Sequence, residues 1–303
     1  MIKTILDFMY IASGLVAIVT GLYAFLDKQH PKRWGTGLFW TIFGLIFIFG
    51  PSIKPVIVGS LLLFMGLLTV TKNVAFGSQV NSDEKYREIQ SEKIGNRIFI
   101  PAVSIGVVAF SVAQFTPLGG LAGLGLGALA ALILTMIYTK EKMIYIPYDS
   151  SRLLQQMGAA VILPQLLGSL GALFTKAGVG TVIATMMSGF IPEGNKILGV
   201  VVYCLAMAIF TMIMGNAFAA ITVMTVGIGG PFVLSYGADP VTIGMLALTC
   251  GYCGTLCTPM AANFNIVPVA ILNMKDRWGV IKNQVLVAVI MLTVQICYMI
   301  VFK

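Results

Sequence analysis

Charged side chains make up only 10% of the 303 residues, against roughly 25% in soluble domains, and that scarcity excludes a soluble enzyme. Histidine is represented once, by His30, which leaves no histidine cluster for a catalytic metal. The five cysteines, Cys204, Cys250, Cys253, Cys257 and Cys297, all lie in apolar stretches, so they read as reduced, packed thiols rather than the staples of a secreted domain. Acids are fewer than bases, 11 against 19, for a formal net charge of +8. The bases sit in short gaps between apolar runs, which is the signature of membrane orientation and not of a nucleic-acid interface.

What is present is apolar surface: 58% of the residues are hydrophobic and the mean hydropathy is +0.95. Against roughly 20 residues per crossing, runs 5–26, 36–50, 56–70, 98–115, 119–138, 153–175, 241–273 and 283–302 read as eight candidate spans. The first is read as a retained helix, because no small-x-small cleavage site precedes Asp27. The expected fold class is therefore an all-α polytopic membrane protein. Residues 72–97 turn polar, with four acids and five bases, and divide a three-span scaffold, 1–71, from a transport-type back half, 98–303. Basic connectors at 27–34, 72–97, 140–152 and 275–282 are placed on the cytoplasmic side, which puts both termini outside.

That topology constrains the stretch between Leu153 and Asn273. Both flanking loops are cytoplasmic, so the apolar block 197–234 has to begin and end outside. Its two arms meet at Met214-Gly215-Asn216-Ala217, a polar, helix-breaking point in apolar sequence, which predicts a re-entrant hairpin. The run 241–273 is 33 residues long, about 50 Å as one straight helix, too long for an apolar core of about 30 Å. Gly254-Thr255-Leu256-Cys257-Thr258-Pro259 supplies a break, since proline removes a helix hydrogen bond and glycine loosens the chain. Non-helical backbone at membrane depth is tolerated only against protein or a water-filled cavity, and paired broken helices are the recurring binding architecture of secondary transporters. Gly215, Asn216 and Ala217 are thus expected on one side of a substrate and ion site, with Gly254, Thr255, Thr258, Pro259 and Asn263 on the other.

The order LPQLLGSLGALFTKAGVGTVIATMM, FTMIMGNAFAAITVMTVGIGG, ALTCGYCGTLCTPMAANFNIVPVAIL and a closing helix resembles one repeat of the divalent-anion:sodium symporters of the ion transporter superfamily. In that family a hairpin tip carries Ser-Asn-Thr and a later broken helix carries a Thr-Pro-Pro-Asn-like motif, both lining the carboxylate and sodium sites. Here Gly215-Asn216-Ala217 stands at the first motif and retains only its Asn. Thr258-Pro259 matches the start of the second, with Met260 and Ala261 in place of its Pro-Asn. The whole chain resembles the membrane subunit of the two-component 5-oxoproline (pyroglutamate) transporters of bacteria. That resemblance implies a small carboxylate cargo, a cytoplasmic-membrane location and a second membrane subunit.

A physical argument agrees with the last point, since such transporters enclose one midplane site between two repeats of opposite topology and only one hairpin is found. Lys54 at the bilayer centre would cost about 3 kcal/mol, so Gly50 to Pro55 reads as a turn and not as a second hairpin. All eleven acids and His30 lie in or near loops, which favours sodium over a proton as the coupling ion. No catalytic constellation is found, because Ser188 and Cys257 have no neighbouring His or acid in sequence; a channel or an assembly subunit is the rival reading. Cys250-Gly-Tyr-Cys253 with Cys257 supplies three thiols where structural zinc usually takes four ligands, so no resident metal is expected. Gly119, Gly123 and Gly127 recur at the spacing of close helix packing in lipid.

Overall fold

The computed structural model describes residues 2–192, 194–272 and 274–301; of the residues invoked above, Glu193, Asn273 and Phe302 lie outside them. It is 82% helical, with no strand among the described residues. Among the described residues, eight helical segments are long and apolar enough to cross a membrane, and the chain is an all-α polytopic membrane protein. The count of eight agrees with the sequence reading, but the members differ. Lys196–Met214 and Ala217–Tyr236, the two arms of the expected hairpin, each qualify by length, whereas Pro55–Val70 and Pro240–Leu256 fall short.

By packing, the chain divides into Met1–Gly158 and Ala159–Lys303, a boundary later than the polar segment 72–97. The first unit contains α1 (Ile2–Leu26), α2 (Arg33–Phe49), α3 (Pro55–Val70), the polar surface helix α4 (Glu84–Ile94), α5 (Phe99–Phe115), α6 (Gly119–Thr139) and α7 (Ile146–Met157). Its helices meet through small residues. A Cβ at Gly44 would lie 2.5 Å from the carbonyl of Gly14 on α1, and one at Gly127 would lie 2.7 Å from the carbonyl of Ile105 on α5, so backbones touch directly, as in lipid-embedded pairs. Gly123 makes the same approach to Ala109, while Gly119 faces nothing within 4 Å.

Below α1 and α2 the polar chain folds back on itself. Thr36 Oγ1 donates to the Ala75 carbonyl at 3.3 Å and accepts from the Ala75 amide at 3.0 Å. The Asp27 carboxylate accepts from the Ser78 amide at 2.8 Å, and His30 Nδ1 accepts from the Lys32 amide at 2.9 Å. Asp27 is held below the usual carboxylate range: partial burial opposes its charge, and the bonds from Ser78 and Gln29 outweigh that burial. The His30 imidazole is also held below its ordinary value: burial lowers it, and nearby Asp27 only partly offsets that.

The stretch expected to cross at 153–175 is not one straight helix. Gly158 adopts φ +56°, and a 3₁₀ turn separates α7 from α8 (Leu163–Lys176). The second unit continues with α9 (Val179–Ser188), α10 (Lys196–Met214), α11 (Ala217–Met224), a π-helical turn at Thr225–Gly229, α12 (Gly230–Phe232), α13 (Pro240–Leu256), α14 (Ala262–Ile271) and α15 (Gly279–Val301). α10 runs antiparallel to the arm that follows it. Tyr203 pairs its hydroxyl with Thr225 Oγ1 at 2.7 Å, and a Cβ at Gly229 would meet the Tyr203 ring at 2.6 Å. Tyr203, Met207, Val223 and Ile228 form the centre of this core. At 19 residues, about 28 Å, α10 nearly matches a hydrocarbon core of about 30 Å in length.

Candidate functional site

Both expected interruptions are present, and they touch. α10 ends at Gly215, whose φ of +69° is a left-handed cap that suits glycine. A Cβ there would stand 2.5 Å from the Met260 carbonyl, so the hairpin tip lies directly on the gap between α13 and α14. The gap is the run Cys257 to Ala261. Thr258 Oγ1 donates to the Met212 carbonyl near the end of α10 at 2.9 Å and accepts from the Met260 amide at 3.2 Å. Asn265, 1% exposed, reaches back across the gap, its Nδ2 donating to the carbonyls of Thr255 at 2.8 Å and Thr258 at 2.6 Å. Carbonyls left over at the break are therefore satisfied by protein, as they must be away from water.

Asn216 is the N-cap of α11: its Oδ1 accepts from the amides of Phe218 at 2.9 Å and Ala219 at 3.3 Å. Those two bonds commit the oxygen and leave Nδ2 as the side-chain group without a partner in the cap. The Ala261 N-cap of α14 supplies no side-chain bond, and the first amides of that helix, Ala262 and Asn263, keep the unsatisfied donors of any helix start.

These groups surround a cavity of about 190 Å³ lined by Leu163, Pro164, Leu167, Gly215, Asn216, Ala217, Phe218, Tyr252, Thr255, Met260, Ala262, Asn263 and Phe264. The first turns of three helices, α8, α11 and α14, contribute to that wall. No Asp, Glu, Lys, Arg or His is among the lining residues. Negative charge is favoured at helix N-termini because aligned peptide dipoles leave a partial positive charge there. The α11 amides are already taken by Asn216, so it is the uncapped start of α14 that offers an anion free amides and a dipole, without a formal counter-charge.

Of the eight residues expected from sequence, Gly215, Asn216, Ala217, Thr255 and Asn263 line this cavity. Gly254, Thr258 and Pro259 do not. Gly254 packs against the backbone of Ala208 so closely that a Cβ would collide with its carbonyl. Thr258 is buried and spends its hydroxyl on holding α10 to the gap. Sequence reasoning passed over Tyr252, Phe218, Phe264 and Met260. Tyr252 precedes Thr255 by three residues and so shares its helical face, a signal that the sequence carried. Phe218 stacks edge-on against Tyr252 with ring centroids 6.0 Å apart, and Tyr252 against Phe264 at 6.5 Å. Two buried oxygens near the breaks, Thr211 Oγ1 and Asn265 Oδ1, have no hydrogen-bond partner among the described residues.

The fold and this arrangement define a multi-pass membrane protein with a mainly apolar cavity, carrying a few polar groups, where two helices are interrupted. Residues 7–303 match the family described as "Protein of unknown function (DUF979)", and the chain belongs to that family. No curated protein and no solved structure matches it.

Proposed function

We propose that this chain is the hairpin-bearing subunit of a secondary transporter that moves a small organic carboxylate across the bacterial cytoplasmic membrane. The observation that carries the reading is the meeting of two helix interruptions at one cavity whose walls include the first turns of α8, α11 and α14. The cargo carboxylate is placed against the Asn216 amide and the free amides at the start of α14, where the dipoles favour an anion. Thr255 and Asn263 supply further hydrogen-bonding groups, and 5-oxoproline is the first cargo to test. Sodium is proposed as the coupling ion. Supporting it are the lack of an acid or histidine in the cavity lining and the unpartnered oxygens of Thr211 and Asn265, which are hard donors of the type sodium takes. A second membrane subunit is proposed to supply the inverted half of the site.

Uptake of labelled 5-oxoproline into cells expressing the chain with its native membrane partner tests the reading. Accumulation above the external concentration, lost when sodium is replaced by choline at fixed pH, is expected. Equilibration without accumulation supports a channel instead, and undiminished binding by the chain purified alone removes the need for a second subunit.

A further inference from the structure

Beyond the carboxylate cavity lies a second, larger space. A groove of about 480 Å³ is bordered by α13, α14 and α15, with Leu256, Cys253, Met291 and Gln295 on its walls. It shares Tyr252, Thr255 and Phe264 with the first cavity. The two spaces are therefore neighbours divided by one thin wall, and the bulk of that wall is the Tyr252–Phe264 ring pair, set edge to face at 66°. Thr255 cannot close the opening alone, since its hydroxyl is turned back onto the Tyr252 carbonyl at 2.6 Å.

The sizes on either side differ in what they admit. At about 30 Å³ per water-sized group, the inner cavity of about 190 Å³ holds about six such groups. The outer groove is predominantly apolar and would accept a hydrocarbon tail if the wall were open, because burying a methylene contributes about 0.8 kcal/mol. Nothing about the polar end of the site distinguishes a short acid from a long one, as both present the same carboxylate. Discrimination by length has to come from the far wall.

We propose that Tyr252 and Phe264 form a partition that sets the maximum length of the cargo, so that the chain selects short monocarboxylates and rejects medium-chain ones. The proposal rests on the carboxylate reading above and adds the specificity determinant to it. Tyr252 is a positioning and specificity residue here: its ring blocks the path, and its hydroxyl is dispensable.

The test measures binding of butanoate, hexanoate and octanoate to the full-length chain co-purified with its membrane partner, by saturation-transfer NMR and thermal stabilisation. Wild type is expected to bind butanoate at least 10-fold more tightly than octanoate. Tyr252→Ala should raise the octanoate-to-butanoate affinity ratio 10-fold or more, and Tyr252→Phe should keep the wild-type order. Phe264→Ala removes the other ring from a different helix and should act in the same direction, which keeps the question answerable if Tyr252→Ala fails to fold. Equal binding of butanoate and octanoate by wild type, or an unchanged ratio in both alanine variants, overturns the partition while leaving the carboxylate site standing. No binding of any of the three acids, and none of 5-oxoproline, by wild type overturns the carboxylate reading and the partition with it.

Discussion

Met1–Gly158 and Ala159–Lys303 are both assembled from apolar helices, yet they treat the same residue types differently. In the first unit glycine lets continuous helices press together, as Gly44 does on Gly14 and Gly127 on Ile105, and the polar chemistry is kept to the connecting segments around Asp27 and His30. In the second unit glycine packs in the same way at Gly254 against Ala208, but at the cavity glycine and asparagine end and restart helices. Gly215 turns the chain, Asn216 starts it again, and Asn265 closes the gap after Cys257 from behind. What differs is where helix starts fall: in the second unit the starts of α11 and α14 border a cavity at the two interruptions. An apolar solvent makes open helix starts costly, so a structure that keeps them around a cavity has a use for them.

The largest expected effect separates capping from ligand contact at Asn216. Aspartate caps helices as well as asparagine, but it lacks the amide donor and brings a negative charge to a site proposed to hold an anion. Asn216→Asp should leave the thermal midpoint within a few degrees of wild type and reduce carboxylate binding 100-fold or more. Retained binding would show that Asn216 only caps α11.

Next comes the contrast between two glycines. Gly215→Ala places a Cβ against the Met260 carbonyl in a left-handed conformation, which should cost about 1–3 kcal/mol and also weaken binding at least 10-fold by parting the two breaks. Gly127→Ala collides with the Ile105 carbonyl and should cost a similar amount of stability, yet leave the affinity of the folded protein unchanged. Equal damage to binding from both would erase the distinction between the units.

A smaller effect is expected from Thr258→Val, which removes the bond to the Met212 carbonyl and should destabilise by about 1 kcal/mol, with cargo affinity reduced less than 3-fold. A 100-fold loss would instead make Thr258 a ligand. The smallest concerns His30. Its ring is neutral in the fold, its pKa lowered from 6.5 chiefly by burial, while the unfolded chain charges at the ordinary value. Stability from this group is therefore fully present above about pH 6.5 and declines as pH falls below it toward the folded value. The thermal midpoint should drop more between pH 7.5 and 5.5 in wild type than in His30→Gln, and an equal drop in both would locate the titration elsewhere.

Much of this was legible in sequence for physical reasons. Apolar length and the position of the bases disclose a polytopic helical chain, and helix breakers in greasy sequence disclose Gly215-Asn216 and the gap before Ala262. Less was visible of partners in space. That Thr258 faces α10 and not the cavity depends on the crossing of α13 with α10, and that Tyr252 and Phe264 share a wall depends on the bend between their helices. The helix boundary at Gly158 was hidden because the polar and apolar composition on its two sides suits one long helix as well as two. Asn216 showed itself as a polar residue in apolar sequence, but which of its two side-chain atoms stays free follows only from the N-cap geometry.

The central claim is that the meeting point of the two breaks is where a solute sits. Asn263→Cys, introduced with Cys257→Ala and Cys297→Ala so that the other native thiols are the buried Cys204, Cys250 and Cys253, puts a reactive probe on the cavity wall. Its rate of modification by a small charged methanethiosulfonate should fall at least 10-fold when 5-oxoproline or butanoate saturates the protein and its partner. A rate that is readily measured and indifferent to every carboxylate offered would contradict the claim.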